Sequence, residues 1–144
     1  MQPGIDYPGV TVVYFCHDGQ GNYLFNLRSK NCRDEHGCWD PGGGRVEFGS
    51  TVTATLKKEI REEYCTNIIK SEFLGFSDIR RTHSKQKTHW LALFFKIRVD
   101  RSKVKNGEPH KFEKIDWFRL DKIPKPQHSQ LPKVIKKLKN QLTS

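Results

Sequence analysis

The sequence lacks the features that would assign it to a membrane or secreted class. It has no apolar run long enough to span a bilayer, and only 35% of its 144 residues are hydrophobic. The first residues, MQPGIDYPG, show no basic region followed by an apolar one, so we expect no secretory signal and a cytoplasmic protein without a membrane partner. Linkers and repeats are also missing, and the chain is predicted to form a single domain over residues 1–144.

Cysteine is scarce and its spacing is uninformative. The four cysteines, at positions 16, 32, 38 and 65, match no zinc-binding pattern. His36 lies between Cys32 and Cys38 and makes at most a weak Cys/His cluster. We therefore interpret the cysteines as reduced thiols, which are usual in the cytosol.

Acidic residues are outnumbered by basic ones. Lys and Arg total 26 against 16 Asp and Glu, a formal net charge of +10. This excess favours polyanionic partners such as nucleotides or RNA. It is concentrated in residues 80–87 and in the tail from Lys122. Because no aromatic-rich RNA-binding motif accompanies it, we interpret these segments mainly as solvated surface.

Apolar patterning predicts the order strand, strand, strand, helix, strand, strand, strand, helix. That order predicts an α/β fold, an α/β/α sandwich with a mixed sheet and helices on both faces. The first helix should begin at Ser50 or Thr51 as its N-cap, and Gly75 should mark a bulge or break. The predicted strands and second helix are Gly9–Cys16, Tyr23–Arg28, Arg45–Phe48, Ile68–Arg81, Thr88–Val99 (a central strand), Phe112–Leu120 and Leu131–Leu142.

The first predicted helix carries three glutamates on one face. Glu59, Glu62 and Glu63 are spaced i, i+3 and i+4, so their side chains project together, away from the helix's apolar stripe. Three like charges in one patch repel each other. The arrangement becomes favourable if a hard divalent cation lies among them.

The stretch from Gly43 to Thr66, GGRVEFGSTVTATLKKEIREEYCT, resembles the Nudix box, G-x5-E-x7-R-E-U-x-E-E-x-G-U with U apolar. Gly44 and the three glutamates match the pattern. Ser50, Lys58, Cys65 and Thr66 stand where the pattern has Glu, Arg, Gly and an apolar residue. The turn before the box, and Glu-Pro followed by Trp-Phe-x-Leu at residues 108–120, resemble Nudix hydrolases of the MutT type.

The resemblance implies a Mg²⁺-dependent pyrophosphohydrolase, with Mn²⁺ as an alternative metal. Nudix enzymes hydrolyse a nucleoside diphosphate linked to another group, and metal ions offset the charge of the pyrophosphate and orient water. By the match, Glu59, Glu62, Glu63 and the Gly43 carbonyl are the metal ligands. Glu62 and Glu63 are also catalytic, with Glu62 a ligand or the general base.

The resemblance also implies residues outside the box. Arg28 and Arg45 occupy positions where MutT-like enzymes contact phosphates, which suits the forked donors of guanidinium groups. A glutamate in a later loop often completes the site. Glu113 is the candidate, and Glu108 is the reserve.

Several substrates and one non-enzymatic role remain open. A nucleoside triphosphate or dNTP is the first choice by analogy with MutT-type enzymes, and the alternatives are a nucleotide sugar, a dinucleoside polyphosphate or an RNA 5′ end. Ser50, Lys58 and Cys65 favour instead a catalytically weak nucleotide- or RNA-binding module with a degraded box. The sequence leaves a monomer and a homodimer equally open.

Overall fold

A computed structural model describes residues 1–144 as a mixed sheet of seven strands between two helices. Two short 3-10 turns lie at Arg101–Lys103 and Leu120–Lys122. The strands are β1 (Gly9–His17), β2 (Tyr23–Arg28), β3 (Trp39–Asp40), β4 (Gly42–Arg45), β5 (Lys70–His83), β6 (Gln86–Arg98) and β7 (Phe112–Phe118), and the helices are α1 (Val52–Tyr64) and α2 (Leu131–Leu142).

The sheet is mixed because one strand pair is parallel. The order is β3-β2-β1-β6-β5, with β4 also paired to β1 and β7 to β2. Strands β1 and β6 run parallel, and every other pair is antiparallel. The apolar run of β6 lies between β1 and β5, which confirms the predicted central strand.

The two helices cover opposite faces of the sheet. One apolar cluster joins Leu131, Val134, Leu138 and Leu142 of α2 to Phe15, Phe25 and Phe94 of the strands. The other joins Leu56, Ile60 and Tyr64 of α1 to Val12, Tyr14 and Phe95. Each fully buried Leu or Ile stabilises the fold by about 1.5–3 kcal/mol. The predicted sandwich is confirmed, and neither helix has the length and apolarity needed to cross a membrane.

The ends of α1 follow from its sequence. Thr51 is the N-cap, and its side chain accepts a hydrogen bond from the Ala54 N–H at 3.0 Å, which contributes about 1 kcal/mol. Cys65 ends the helix in the left-handed region, with φ 57°, although it carries a Cβ. It therefore keeps the cap geometry that glycine adopts more easily. All four cysteines are free thiols in the structure.

The third strand group differs from the prediction. We predicted a strand over Arg45–Phe48, but β4 ends at Arg45 and the Phe48 side chain is fully exposed. Gly42, Gly43 and Gly44 have low strand propensity, so the sequence pattern did not predict a strand at these residues. Their backbone nevertheless pairs with Val12–Tyr14 of β1. The predicted irregularity in β5 is confirmed as a register shift between Phe73 and Gly75.

Candidate active site

The acidic face of α1 lies directly over the glycine strand β4. A Cβ placed on Gly44 would lie 2.4 Å from Cδ and 2.7 Å from Oε2 of Glu59. The space that a side chain at position 44 would fill is therefore occupied by the Glu59 carboxyl group. Glycine is required here by close approach, and the helix can bring its carboxylates against the backbone of β4.

Glu63 is the most deeply buried of the three glutamates, with 5% of its surface exposed. Burial raises the pKa of Glu63 to about 8, and the Glu59 charge adds to the rise. The Tyr14 hydroxyl donates a hydrogen bond to Oε1 of Glu63, and this bond, with one from the Gly43 backbone, partly offsets the effect. The carboxylate is thus held in a fixed position where negative charge is costly.

Glu59 and Glu62 complete the acidic face at its surface. Burial, and next the neighbouring Glu62 charge, raise the pKa of Glu59. Lys58 and Lys111 act in the opposite direction. Glu62 itself is exposed. The face therefore grades from a buried carboxylate at Glu63 to a solvent-accessible one at Glu62.

Two tyrosines and an asparagine support this face and were missed from the sequence. The Tyr64 hydroxyl donates to Oδ1 of Asn26 at 2.5 Å, and the Tyr14 and Tyr64 rings meet edge to face at 6.1 Å. All three side chains are buried. The available signal was Asn26, a polar residue inside the apolar strand YLFNLR, because a buried amide needs a hydrogen-bond partner.

The loop before β7 docks on the end of α1. The N–H groups of Lys105 and Gly107 donate to the carbonyls of Tyr64 at 3.0 Å and Glu63 at 2.9 Å. This contact brings the reserve candidate, Glu108, to the acidic face, where its charge contributes to the raised pKa of Glu59. Glu113 is exposed on β7. A register shift between Leu27 and Arg28 leaves Glu113 without a paired residue on β2, at a β-bulge.

The two predicted phosphate-binding arginines have different surroundings. Arg28 is engaged by two carboxylates, with Nη2 3.0 Å from Oδ1 of Asp34 and Nη1 3.5 Å from Oδ2 of Asp40. Arg45 makes one exposed ion pair, 3.0 Å from Oε1 of Glu47. Exposed pairs of this kind contribute little stability, so the Arg45 guanidinium can exchange partners at small cost.

The donor set suits a hard divalent cation. In the orientations that the side chains adopt, no group of three Asp, Glu, His or Cys residues forms a complete metal site. Glu59, Glu62 and Glu63 nevertheless present oxygen donors on one helix face. Burial, and after it the neighbouring carboxylates, raise the pKa values of Glu59 and Glu63, so a cation bound here would stabilise their ionised forms.

One residue that departs from the Nudix box pattern is a buried threonine. Thr66 stands where the pattern has an apolar residue, and it is buried with 4% of its surface exposed. Its Oγ1 is the buried side-chain polar atom without a hydrogen-bond partner. The hydroxyl is therefore a local cost to stability rather than part of the site.

Comparison with known families decides the relationship. The model of the NUDIX domain matches residues 7–138, nearly the whole chain. The chain belongs to the Nudix family. The resemblance to the Nudix family is confirmed.

Individual proteins of the Nudix family share limited sequence identity with this chain. An oxidized purine nucleoside triphosphate hydrolase of Danio rerio is 26% identical over 98 residues, which cover 61% of this chain and 53% of that protein. The chain thus spans about half the length of this curated relative.

Solved structures share the fold. A MutT NUDIX hydrolase from Burkholderia pseudomallei has a TM-score of 0.80 at 23% identity, covering 92% of this chain and 99% of that one. The MutT protein from Methanosarcina mazei has a TM-score of 0.78 at 19% identity, covering 97% of this chain and 99% of that one. At these identities the likeness establishes the fold alone.

Proposed function

We propose that this Nudix domain hydrolyses a nucleoside triphosphate or dNTP with Mg²⁺, giving a nucleotide of lower phosphorylation. The observation that carries the proposal is the convergence of Glu59 and Glu63 on the glycine strand β4. The printed name of the Danio rerio relative supports a triphosphate substrate. A cytoplasmic location remains our expectation from the sequence.

We assign each glutamate a role from its position on the acidic face. Glu59, Glu63 and the Gly43 carbonyl would hold the metal ion. A bound Mg²⁺ supplies charge neutralisation of the pyrophosphate and orients the attacking water. The exposed Glu62 is open to solvent, so we assign it to accept the proton of that water. The Tyr14 hydroxyl keeps the Glu63 carboxylate in one orientation.

Basic and acidic groups around the face would position the substrate. Arg45 is the better placed of the two arginines for phosphate, because its only partner is the exposed Glu47. The guanidinium of Arg28 would first have to leave Asp34 and Asp40. Of the two candidate glutamates outside the box, we favour Glu108, in the loop before β7, over Glu113 on β7.

A comparison of two variants tests this choice of loop glutamate. Glu108→Gln should lower kcat by about tenfold or more, because it removes a carboxylate whose charge acts on Glu59. Glu113→Gln should leave kcat nearly unchanged. The reverse order of effects would return the role to Glu113, our first candidate from the sequence.

The central test is a nucleotide panel with Mg²⁺, in which released phosphate and pyrophosphate are measured separately. Glu62→Gln and Glu63→Gln should each reduce turnover by about 10²-fold or more. Glu72→Gln, on the exposed edge strand β5, is the matched control and should be unaffected. Full activity in both box variants would remove the acidic face from the mechanism.

The same panel distinguishes the other candidates. Nucleotide sugars, dinucleoside polyphosphates and a 5′-triphosphorylated RNA belong in it, and Mn²⁺ should be tried beside Mg²⁺. A nucleotide- or RNA-binding module with a degraded box would bind these compounds without product at any concentration of either metal. Metal-dependent turnover of any member of the panel excludes that alternative.

A further inference from the structure

One cavity has no lining residue from the acidic face. It has a volume of about 390 Å³ and is formed between residues 4–8 and the end of the β5–β6 hairpin. None of its lining residues belongs to the Nudix box, Gly43–Thr66. The box comes nearest through Val46, whose N–H donates to the Val10 carbonyl at 2.8 Å, two residues after Pro8. The cavity is therefore built from other residues than the box, beside the box's first residues.

The N-terminal wall of this cavity is fixed in place. The His89 N–H donates to the Gly4 carbonyl at 2.8 Å, which joins residues 4–8 to β6. Gly4 has φ +83°, and a Cβ there would lie 2.4 Å from Nε1 of Trp90. Only glycine meets both demands, so the wall is a built part of the fold.

The opposite wall carries cations without partners. Arg80 pairs in register with His89, and Thr82 pairs with Lys87, so these side chains lie on one face of the hairpin. His89 is occupied by Asp78 at 2.9 Å. No carboxylate lies within ion-pair distance of Arg80 or Lys87. Two cations without acidic partners on one face favour the binding of an anion.

The remaining lining sets the kind of anion. Ile5 and Tyr7 line the cavity, and each is 44% exposed. Asp6, the one acidic side chain in the lining, accepts a hydrogen bond from the Gln2 N–H. An exposed aromatic ring beside free cations suits a ligand with a stacking face and a phosphate.

We propose that this cavity is a second nucleotide site, in which Arg80 and Lys87 bind the phosphate and Tyr7 stacks on the base. The ligand is either a free nucleotide or one unit of a single-stranded nucleic acid, since both carry the same groups. The net charge of +10 favours the approach of either one. The site does not require that the Nudix box be active.

Binding should be measured by fluorescence anisotropy with two probes, fluorescein-labelled AMP and a labelled uridine octanucleotide. EDTA is present throughout, because without a divalent cation the acidic face repels phosphate. The double variant Arg80→Ala/Lys87→Ala should weaken binding about tenfold or more. Tyr7→Ala should weaken it as well, by loss of stacking.

The matched control is Lys133→Ala/Lys136→Ala, which removes the same charge from exposed positions on α2. It should change the affinity less than about twofold at constant ionic strength. Equal weakening by both double variants, or no binding by the unmodified protein, would overturn the proposal. Much tighter binding of the octanucleotide would identify a single strand as the ligand, and similar affinities a free nucleotide. Glu63→Gln should bind both probes normally, so failure of turnover and failure of this site are distinguishable.

Discussion

Replacing Gly44 with alanine tests whether the glycine strand serves to admit Glu59. The new Cβ would lie 2.4 Å from Cδ, 2.6 Å from Cγ and 2.7 Å from Oε2 of Glu59. Gly44 is not among the glycines with positive φ, so the backbone of β4 can accept alanine. The strain therefore falls on the flexible Glu59 side chain.

The distances set the size of the effect. Carbon atoms in contact need about 3.5 Å, so the Glu59 carboxyl must retreat by about 1 Å. A misplacement of that size in a catalytic group costs about 10²-fold in rate, or about 2.7 kcal/mol of transition-state stabilisation. The free energy of unfolding should change by only about 1 kcal/mol, because no buried apolar contact is lost.

Steady-state turnover of a nucleoside triphosphate with Mg²⁺ measures the loss, and thermal unfolding confirms that the Gly44→Ala variant is folded. The decisive comparison repeats Gly44→Ala in a Glu59→Ala background. If alanine acts by displacing Glu59, it should have no further effect once that side chain is gone. Near-normal activity of the single variant, or the same fold-loss in both backgrounds, would refute this explanation of the glycine.

Two further predictions concern stability. Burial raises the pKa of Glu63 from 4.5 to about 8. Between these values the native state keeps a proton that the unfolded chain releases. The free energy of unfolding of the metal-free protein should therefore fall as pH rises from about 5 to 8. Thermal unfolding temperatures measured across this pH range should show the fall, and Glu63→Gln should reduce it. Mg²⁺ should raise the unfolding temperature more at pH 8 than at pH 5.5. The same pH profile in the unmodified protein and in Glu63→Gln would contradict the assignment. Thr66→Val removes the unpartnered buried hydroxyl and should raise the free energy of unfolding by about 1 kcal/mol in urea titrations, whereas a loss of stability would show that the hydroxyl has a partner.

The sequence predicted the acidic face because the information is local. Spacings of three and four residues place side chains on one side of any helix, so Glu59, Glu62 and Glu63 could be grouped without a structure. The apolar stripe of α2 and its bounds followed from the same periodicity and are confirmed. Strand β4 was misplaced because glycine has no side-chain pattern, and its pairing with β1 depends on a contact across the sheet.

Other parts of the site needed contacts between distant segments. Tyr14 looked like an ordinary core residue of a β-branched run, yet its hydroxyl reaches Glu63, which is 49 positions later. Arg28 forms ion pairs with Asp34, which lies in a loop, and with Asp40, which lies on a neighbouring strand. Nothing in the spacing of these residues indicates that they meet.

The sequence alone determined the family, the helix face that carries the glutamates and the order of all elements except the strands β3 and β4, because each is encoded by short-range patterns. Only the tertiary structure decided how that face is used. Packing α1 against β4 buries Glu63 and places the Glu59 carboxyl group over Gly44. The loop that contains Glu108 contacts the end of α1. The same folding leaves Arg80 and Lys87 together without acidic partners. Burial and charge environment are properties of segments that meet in space, so they appear only once the chain is folded.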